Sequence, residues 1–182
     1  TRAETLAFIS HDLRSPLAQV LARLGQRAPD VVEPLSRAHA LAEDFLHASR
    51  AEMLDPARFE PLDLASLAHQ AADDAWTAAR DRSVTLERRL PDTPCWVNAD
   101  FGLLHRALLN LLSNAIKHAP GHSRVDLALE AGPGVWRLSV SDHGAGIADD
   151  DRARLFAAGA TLAAGARAGG AGLGLYFVRT VA

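Results

Sequence analysis

The sequence has 182 residues, of which 48% are hydrophobic and 23% charged, a balance typical of a globular protein with a sizeable core. Its formal net charge of −3 provides no basic field, which argues against nucleic acid or an anionic membrane as a partner. A single cysteine, Cys95, excludes an internal disulfide and a cysteine metal cluster, and its plainest interpretation is a small buried apolar residue.

The sequence carries no membrane-spanning or targeting segment, and its two ends lack start and stop signals. No apolar run approaches the roughly 18 residues needed to cross a bilayer, and no signal peptide is recognisable. The chain begins without methionine, inside a helical pattern, and it ends at Val181-Ala182 without a helix stop signal. We therefore expect a cytoplasmic piece of a longer protein, with no membrane contact of its own. A membrane anchor or sensor upstream would lie outside it.

Residues 1–55 are predicted to form a helical hairpin. Six apolar side chains of the first helix, residues 4–25, recur at spacings of three and four: Leu6, Ile9, Leu13, Leu17, Val20 and Leu24. After a break with Pro29 and Pro34, a second apolar stripe runs as far as Met53. Because two antiparallel helices bury too little apolar surface alone, we expect a homodimeric four-helix bundle.

His11 and Pro16 stand out in the first of these helices. On a helical wheel at about 100° per residue, His11 lies about 150° from the centre of the apolar stripe and so faces water. Pro16 has no N–H for the carbonyl of Asp12, so the helix bends one turn beyond the imidazole. A neutral imidazole in that place is available as a nucleophile. The alternative is a proline that is merely tolerated in a surface helix.

Beyond Asp55-Pro56 the pattern changes to mixed α and β, and residues 56–182 are predicted to form a second domain, with its hinge near Asp55 to Glu60. The predicted elements are helices over 64–80, 100–118, near 149–156 and from about Gly172, strands over 83–90 and 95–98, and a hairpin of residues 123–131 and 134–142. Gly132-Pro133-Gly134 supplies the hairpin turn. An Ala/Gly-rich stretch covers residues 157–171.

The helix over 100–118 carries a polar stripe. Asn110, Asn114 and Lys117, the only lysine of the chain, lie four and three residues apart and share one face. The opposite face is apolar, with Leu104, Leu108, Leu112 and Ala115. Carboxamide oxygens suit Mg²⁺ and an ammonium suits phosphoryl oxygens, so the stripe is typical of a site for a cation with phosphates. A solvated helix face is the alternative.

Two glycine-rich segments follow. Asp142 comes directly after the second hairpin strand and can accept a hydrogen bond from an exocyclic amine such as that of adenine. Gly144 and Gly146 allow a tight turn and a close approach to a flat ring, although such a motif is also found in ordinary turns. At the start of the last helix, Gly170, Gly172 and Gly174 expose N–H groups toward phosphates, or else form a hinge.

Four segments carry a resemblance to a known family. SHDLRSPL, LLNLLSNAIKHA, DHGAGI and GAGLGL, in this order, resemble the H, N, G1 and G2 boxes of two-component sensor histidine kinases. The resemblance implies an α+β protein: a dimerisation and phosphotransfer hairpin over 1–55, then an α/β-sandwich ATP-binding domain over 56–182. Such kinases usually continue with another strand after the last helix, so we expect this sheet to be truncated at its C-terminal end.

The resemblance also implies residue roles. His11 would be the phosphoacceptor, Asp12 the acid that polarises it, and Ser15 a residue that helps to dephosphorylate the partner. Asn110 would coordinate Mg²⁺, and the phosphates of ATP would be lined by Asn114, Lys117 and His118. Asp142 would bind the adenine amine. The nucleotide pocket and the hinges of its lid, residues 157–171, would be shaped by five glycines: Gly144, Gly146, Gly170, Gly172 and Gly174.

The function that follows is ATP-dependent autophosphorylation of His11 and transfer of the phosphoryl group to an aspartate in the receiver domain of a response regulator. The family resemblance implies a homodimer with ATP and Mg²⁺ as cofactors, and the net charge argues against a nucleic acid partner. One alternative is a gyrase-like ATPase, in which water replaces the histidine; the H box and the amide at Asn110 argue against it. The other is a catalytically weak dimerisation and ATP-binding scaffold.

Overall fold

A computed structural model describes residues 58–152, residue 155 and residues 174–182. These residues fall into two compact units, one with residues 58–152 and 181–182 and the other with residue 155 and residues 174–180. The predicted helical hairpin over 1–55, and with it the four-helix bundle, lies outside the described residues.

The described residues form two long helices, two short ones and five strands. In chain order the elements are β1 (Glu60–Asp63), α1 (Leu64–Asp81), β2 (Thr85–Arg89), β3 (Trp96–Ala99), α2 (Phe101–His118), β4 (Arg124–Gly132), β5 (Val135–Ser141), α3 (Asp149–Arg152) and α4 (Gly174–Val181). The mixed α and β content predicted for this part of the chain is confirmed.

Each long helix begins at an aspartate that caps its N-terminus. The Asp63 carboxylate accepts hydrogen bonds from the backbone N–H groups of Ala65 and Ser66, and the Asp100 carboxylate accepts one from Leu103. Such caps satisfy N–H groups that have no partner inside the helix. Both helices therefore start within one residue of the predicted positions.

The strands form two sheets. β1 and β3 pair in an antiparallel ribbon, with Leu62 opposite Val97. The other sheet has the order β2-β4-β5, with β2 parallel and β5 antiparallel to β4. The predicted hairpin is confirmed, and Gly134 has a φ of +71°, a conformation that glycine adopts without strain.

The core lies between the two long helices and one face of the three-stranded sheet. Alternate residues of β4, Val125, Leu127 and Leu129, are buried, as expected for a strand with one face covered. The main cluster combines residues of α1, α2 and β4, among them Leu67, Ala71, Leu108, Leu112, Val125 and Leu127. Alanines dominate the buried face of α1, and their small side chains allow close packing of the helix.

Asp126 is a buried carboxylate on the opposite face of β4. It accepts hydrogen bonds from the guanidinium groups of Arg89, at 2.7 Å, and of Arg124, at 3.1 Å. Burial of a carboxylate is costly unless it is paired, and here two arginines from β2 and β4 supply the partners. The pair cross-links the two parallel strands of the sheet.

Asp63 and Cys95 join the ribbon to α1. The Cys95 N–H donates to the Asp63 carboxylate at 2.7 Å, in addition to the helix-capping bonds. The Cys95 side chain is fully buried, and burial raises the pKa of its thiol, with the Asp63 charge acting in the same direction. The interpretation of Cys95 as a buried apolar residue is therefore confirmed.

Strand β1 was not predicted. Its four residues, Glu60–Asp63, contain a proline and two acids, which are poor strand formers, and they fall where a hinge was expected. The strand exists because β3 pairs with it along its whole length, from Glu60 opposite Ala99 to Asp63 opposite Trp96. The predicted hinge near Asp55 to Glu60 stays a prediction, because residues 55–57 lie outside the described residues.

Helix α4 starts at Gly174 and ends at Val181, with Phe177 and Val178 buried. A helix in this place was predicted. Its predicted beginning, near Gly172, and the Ala/Gly-rich stretch over 157–171 lie outside the described residues.

Candidate functional site

The polar stripe of α2 is present as predicted. The side chains of Asn110, Asn114 and Lys117 are half-buried, whereas Leu108 and Leu112 on the opposite face are almost fully buried. The helix continues to His118, so the stripe ends one residue before the C-terminus of α2. Carboxamide and ammonium groups thus line one accessible face of a helix whose other face is fixed in the core.

The loop after β5 carries the second predicted group. Asp142 follows the last residue of the strand, and its Oδ1 accepts a hydrogen bond of 2.7 Å from the backbone N–H of Gly144. This bond closes a tight turn that keeps the carboxylate beside its own backbone. Gly146 has a φ of +73°, so the chain turns again in a conformation that favours glycine.

The loop and the end of α2 are in direct contact. A Cβ atom on Gly144 would lie 2.7 Å from the carbonyl oxygen of His118 and 2.6 Å from Asp142 Oδ1, which is too close for any side chain. Gly144 therefore allows the loop to rest on the last turn of α2. Two motifs that are 24 residues apart in sequence, at His118 and Asp142, are brought together in this way.

Arg82 fixes the end of α2 from another direction. It lies at the C-terminus of α1, and its guanidinium donates from Nε to the Ile116 carbonyl at 3.0 Å and from Nη2 to the Lys117 carbonyl at 2.9 Å. The last carbonyls of a helix have no partner within it and form the negative end of its dipole, so a cation that bonds them stabilises the end. This role of Arg82 was not predicted.

His143 was also missed. Its Nδ1 lies 2.9 Å from the carbonyl oxygen of Arg124, the first residue of β4. No periodicity or motif in the sequence indicates either contact, because both join residues that are distant along the chain and depend on the packing of separate elements.

Several predicted site residues lie outside the described residues: His11, Asp12, Ser15, Gly170 and Gly172. Of the third glycine group only Gly174 is described, as the first residue of α4. Within the larger unit, therefore, the structure brings together the end of the α2 stripe and the loop of residues 142–148 after β5, here called the Asp142 loop.

A cavity of about 460 Å³ lies elsewhere, at the opposite end of α2. It is lined by residues of β1, β3 and the first turn of α2, including Pro61, Asp100 and Phe101. Sixteen residue steps separate Phe101 from Lys117, a rise of about 24 Å along a helix. The cavity is therefore distinct from the predicted site.

Comparison with known proteins identifies the family. Residues 99–182, which include α2 and the Asp142 loop, match the family of histidine kinase-, DNA gyrase B- and HSP90-like ATPases. The mycobacterial sensor histidine kinase MprB is 31% identical, with a TM-score of 0.57, over 68% of this chain and 77% of the MprB chain. The chain belongs to the family of two-component sensor histidine kinases.

Longer members of the same kinase family match nearly the whole chain. The histidine protein kinase DivJ of Caulobacter vibrioides is 32% identical over 100% of this chain and 33% of DivJ. The structure of full-length ShkA in complex with AMPPNP is 31% identical, with a TM-score of 0.70, over 98% of this chain and 40% of ShkA. The chain thus spans about a third of the length of DivJ.

Two further findings concern the described part of this chain. None of its helices is long and apolar enough to cross a membrane. No group of three or more histidine, cysteine, aspartate or glutamate side chains in that part could hold a metal ion.

Proposed function

We propose that this protein is an ATP-dependent histidine kinase that phosphorylates His11 and passes the phosphoryl group to an aspartate of a response regulator. The observation that carries the proposal is the contact of Gly144 with the His118 carbonyl. It places the Asp142 loop against the end of the helix that carries Asn110, Asn114 and Lys117, so that groups suited to a purine base and to phosphates border one region.

The nucleotide would use both sides of this region. Asp142 would accept a hydrogen bond from the adenine amine, with Gly144 and Gly146 allowing the ring to approach the backbone. Lys117, Asn114 and His118 would line the phosphates. Gly170, Gly172 and Gly174 would shape the lid over residues 157–171. The AMPPNP in the ShkA structure, to which this chain is similar, supports an adenine nucleotide as the ligand.

The donor set fits Mg²⁺ brought by ATP. Mg²⁺ binds oxygen ligands and keeps several waters, so one protein oxygen together with substrate phosphates is a common arrangement. Asn110, half-buried on α2, offers such an oxygen, and the described residues hold no acidic cluster that would bind the ion alone. Bound there, the ion would neutralise phosphate charge in the transition state.

The phosphoryl transfer would use His11 as the nucleophile. An imidazole nitrogen forms a bond to the γ-phosphorus while the bond from that phosphorus to the bridging oxygen breaks, and ADP leaves with the electron pair. Asp12 takes the proton of the ring. The lid and Lys117 would supply alignment and positive charge, which account for most of the catalysis of such transfers.

The partners follow from the same proposal. Residues 1–55 would form a homodimeric four-helix bundle that presents His11 to the nucleotide domain of residues 56–182. A response regulator would then receive the phosphoryl group on an aspartate, and Ser15 would assist its later hydrolysis.

The proposal is tested by labelling the full chain. With Mg²⁺ and γ-labelled ATP, we expect label on the protein that is lost in acid and retained in alkali, as for a phosphohistidine. His11→Ala should abolish it, whereas His39→Ala, a control in the same segment, should not. Release of free phosphate without protein label would instead indicate a gyrase-like ATPase, and neither product would indicate a scaffold.

A further inference from the structure

His143 lies between Asp142 and Gly144 in the loop after β5, and its side chain contacts the neighbouring strand β4. Its ring Nδ1 is 2.9 Å from the Arg124 carbonyl oxygen. A carbonyl oxygen can only accept, so Nδ1 carries the hydrogen and donates. The bond ties the loop to the first residue of β4, 19 residues earlier.

The place of this bond in the sheet explains its effect. The last backbone pair of β4 and β5 is Asp126 opposite Ser141. Two residues further, the same register would place Arg124 opposite residue 143, but β5 has ended there. The His143 side chain thus bonds the residue that the ladder would have paired with its backbone, and it extends the connection between the strands into the loop.

The loop is therefore held at adjacent residues. His143 is bonded to β4, Gly144 rests on the His118 carbonyl, and the Gly144 N–H bonds Asp142 Oδ1. Asp142 precedes these fixed points and follows the last residue of β5, so its carboxylate has little freedom of direction. Among the described residues the second oxygen, Oδ2, accepts no hydrogen bond, and it remains for a ligand.

We infer that His143 is a positioning residue of the nucleotide site: its imidazole N–H holds the loop on β4 so that Asp142 presents its carboxylate to the amine of an adenine ring. The inference rests on the proposed function, in which Asp142 binds that amine. His143 itself does not touch the nucleotide. The His143 bond would affect selectivity for a base with an exocyclic amine, because that amine is the group that donates a hydrogen bond to Asp142.

The test compares Mg-ADP with Mg-IDP, in which a carbonyl replaces the amine, by calorimetry on the full chain. Wild type should prefer ADP. His143→Ala should reduce the ADP-to-IDP affinity ratio by about fivefold, the size expected for loss of one hydrogen bond, mainly through weaker ADP binding. His143→Asn, whose amide N–H occupies nearly the same place, should restore the ratio to within about twofold of wild type.

His143→Phe keeps a ring without the donor and should behave as His143→Ala, so the comparison with His143→Asn survives if the alanine variant fails to fold. His69→Ala, an exposed histidine on α1, is the control and should leave the ratio unchanged. The inference would be wrong if His143→Phe left the ADP-to-IDP affinity ratio unchanged, or if His143→Asn lowered it as much as His143→Ala. Either result would leave the proposed function standing. If wild type binds ADP and IDP equally, the adenine role of Asp142 is wrong and the inference fails with it.

Discussion

At the scale of single residues, the candidate site depends on the absence of a side chain at Gly144. Gly144 has no Cβ, and a Cβ there would lie 2.7 Å from the His118 carbonyl oxygen. Gly146 differs, because its Cβ would meet nothing within 4 Å and only its φ of +73° favours glycine. The first glycine is thus required by space, and the second by backbone conformation alone.

Gly144→Ala is expected to lower nucleotide affinity by about tenfold or more. The loop must move away from α2 to relieve the overlap, and forced overpacking typically costs about 1–3 kcal/mol. Calorimetric titration with Mg-ADP would measure the loss.

Gly121→Ala is the matched control for that substitution. Its Cβ would lie 3.9 Å from the nearest atom, the Arg82 carbonyl oxygen, which is an ordinary contact. Affinity in this control should stay within about twofold of wild type, a change of less than about 0.5 kcal/mol. Equal affinities for Gly144→Ala and wild type would show that the contact with α2 does not shape the site.

At the scale of elements, Asp63 connects the β1–β3 ribbon to helix α1 by hydrogen bonds. Its carboxylate accepts hydrogen bonds from the Ser66 hydroxyl at 2.6 Å and the Cys95 N–H at 2.7 Å, besides capping α1. The Ser66 hydroxyl contributes most, ahead of the backbone bonds, to a pKa of Asp63 that is lower than its ordinary value. One charged group thus connects β1, α1 and the start of β3.

Asp63→Asn should lower the free energy of unfolding by about 1 kcal/mol at pH 7, because an NH₂ group then faces hydrogen-bond donors. A folded-state pKa below the unfolded value of about 3.9 means that the carboxylate stabilises the fold above that pH. This contribution is lost as the pH falls through the folded-state pKa. Wild type and variant should therefore begin to converge in stability as the pH falls below about 4.

Urea unfolding of both proteins at pH 7, 5 and 3 would measure this convergence. Asp92→Asn, in an exposed turn, is the control and should follow wild type at every pH. A gap between Asp63→Asn and wild type that is equally large at pH 3 would contradict a charge-dependent role.

At this scale the sequence predicts most elements, and strand β1 is the exception. Both long helices were predicted within one residue of their bounds, because their apolar spacing marks them locally. Strand β1 was not, because the sequence Glu60–Asp63 has no strand pattern of its own. Its conformation comes from β3, a partner that begins 33 residues after Asp63.

At the scale of the whole molecule, ligand binding and folding are linked. The proposed site uses residues of α2 and of the loop after β5, which are held together only in the folded chain. A ligand that binds the folded state alone stabilises it, by about 2.7 kcal/mol at a hundred times its dissociation constant.

Saturating Mg-ADP should therefore raise the Tm of wild type by roughly 5–10 °C, the shift that this energy produces in a chain of such size. Asp142→Asn should abolish most of the shift. Asparagine can still accept from the Gly144 N–H, so the turn is retained, but its NH₂ would face the adenine amine as a second donor. Thermal unfolding with and without the nucleotide measures both.

Asp92→Asn again serves as the control and should show the full shift. A full shift in Asp142→Asn would mean that the base binds elsewhere. An absent shift in wild type would contradict nucleotide binding by the chain itself.

The sequence by itself determined the order of the four motifs, the long helices, the hairpin, and the residue types that suit a nucleotide. These features depend on residues that are close together in the sequence, through apolar periods of two or 3.6 residues and through short motifs. Only the tertiary structure decided that Glu60–Asp63 forms a strand by pairing with β3. It also decided that Arg82 donates hydrogen bonds to the C-terminal carbonyls of α2 and that His143 donates one to the first residue of β4. Each of these contacts joins residues distant in sequence, and no local pattern specifies the partner that folding brings within hydrogen-bonding distance.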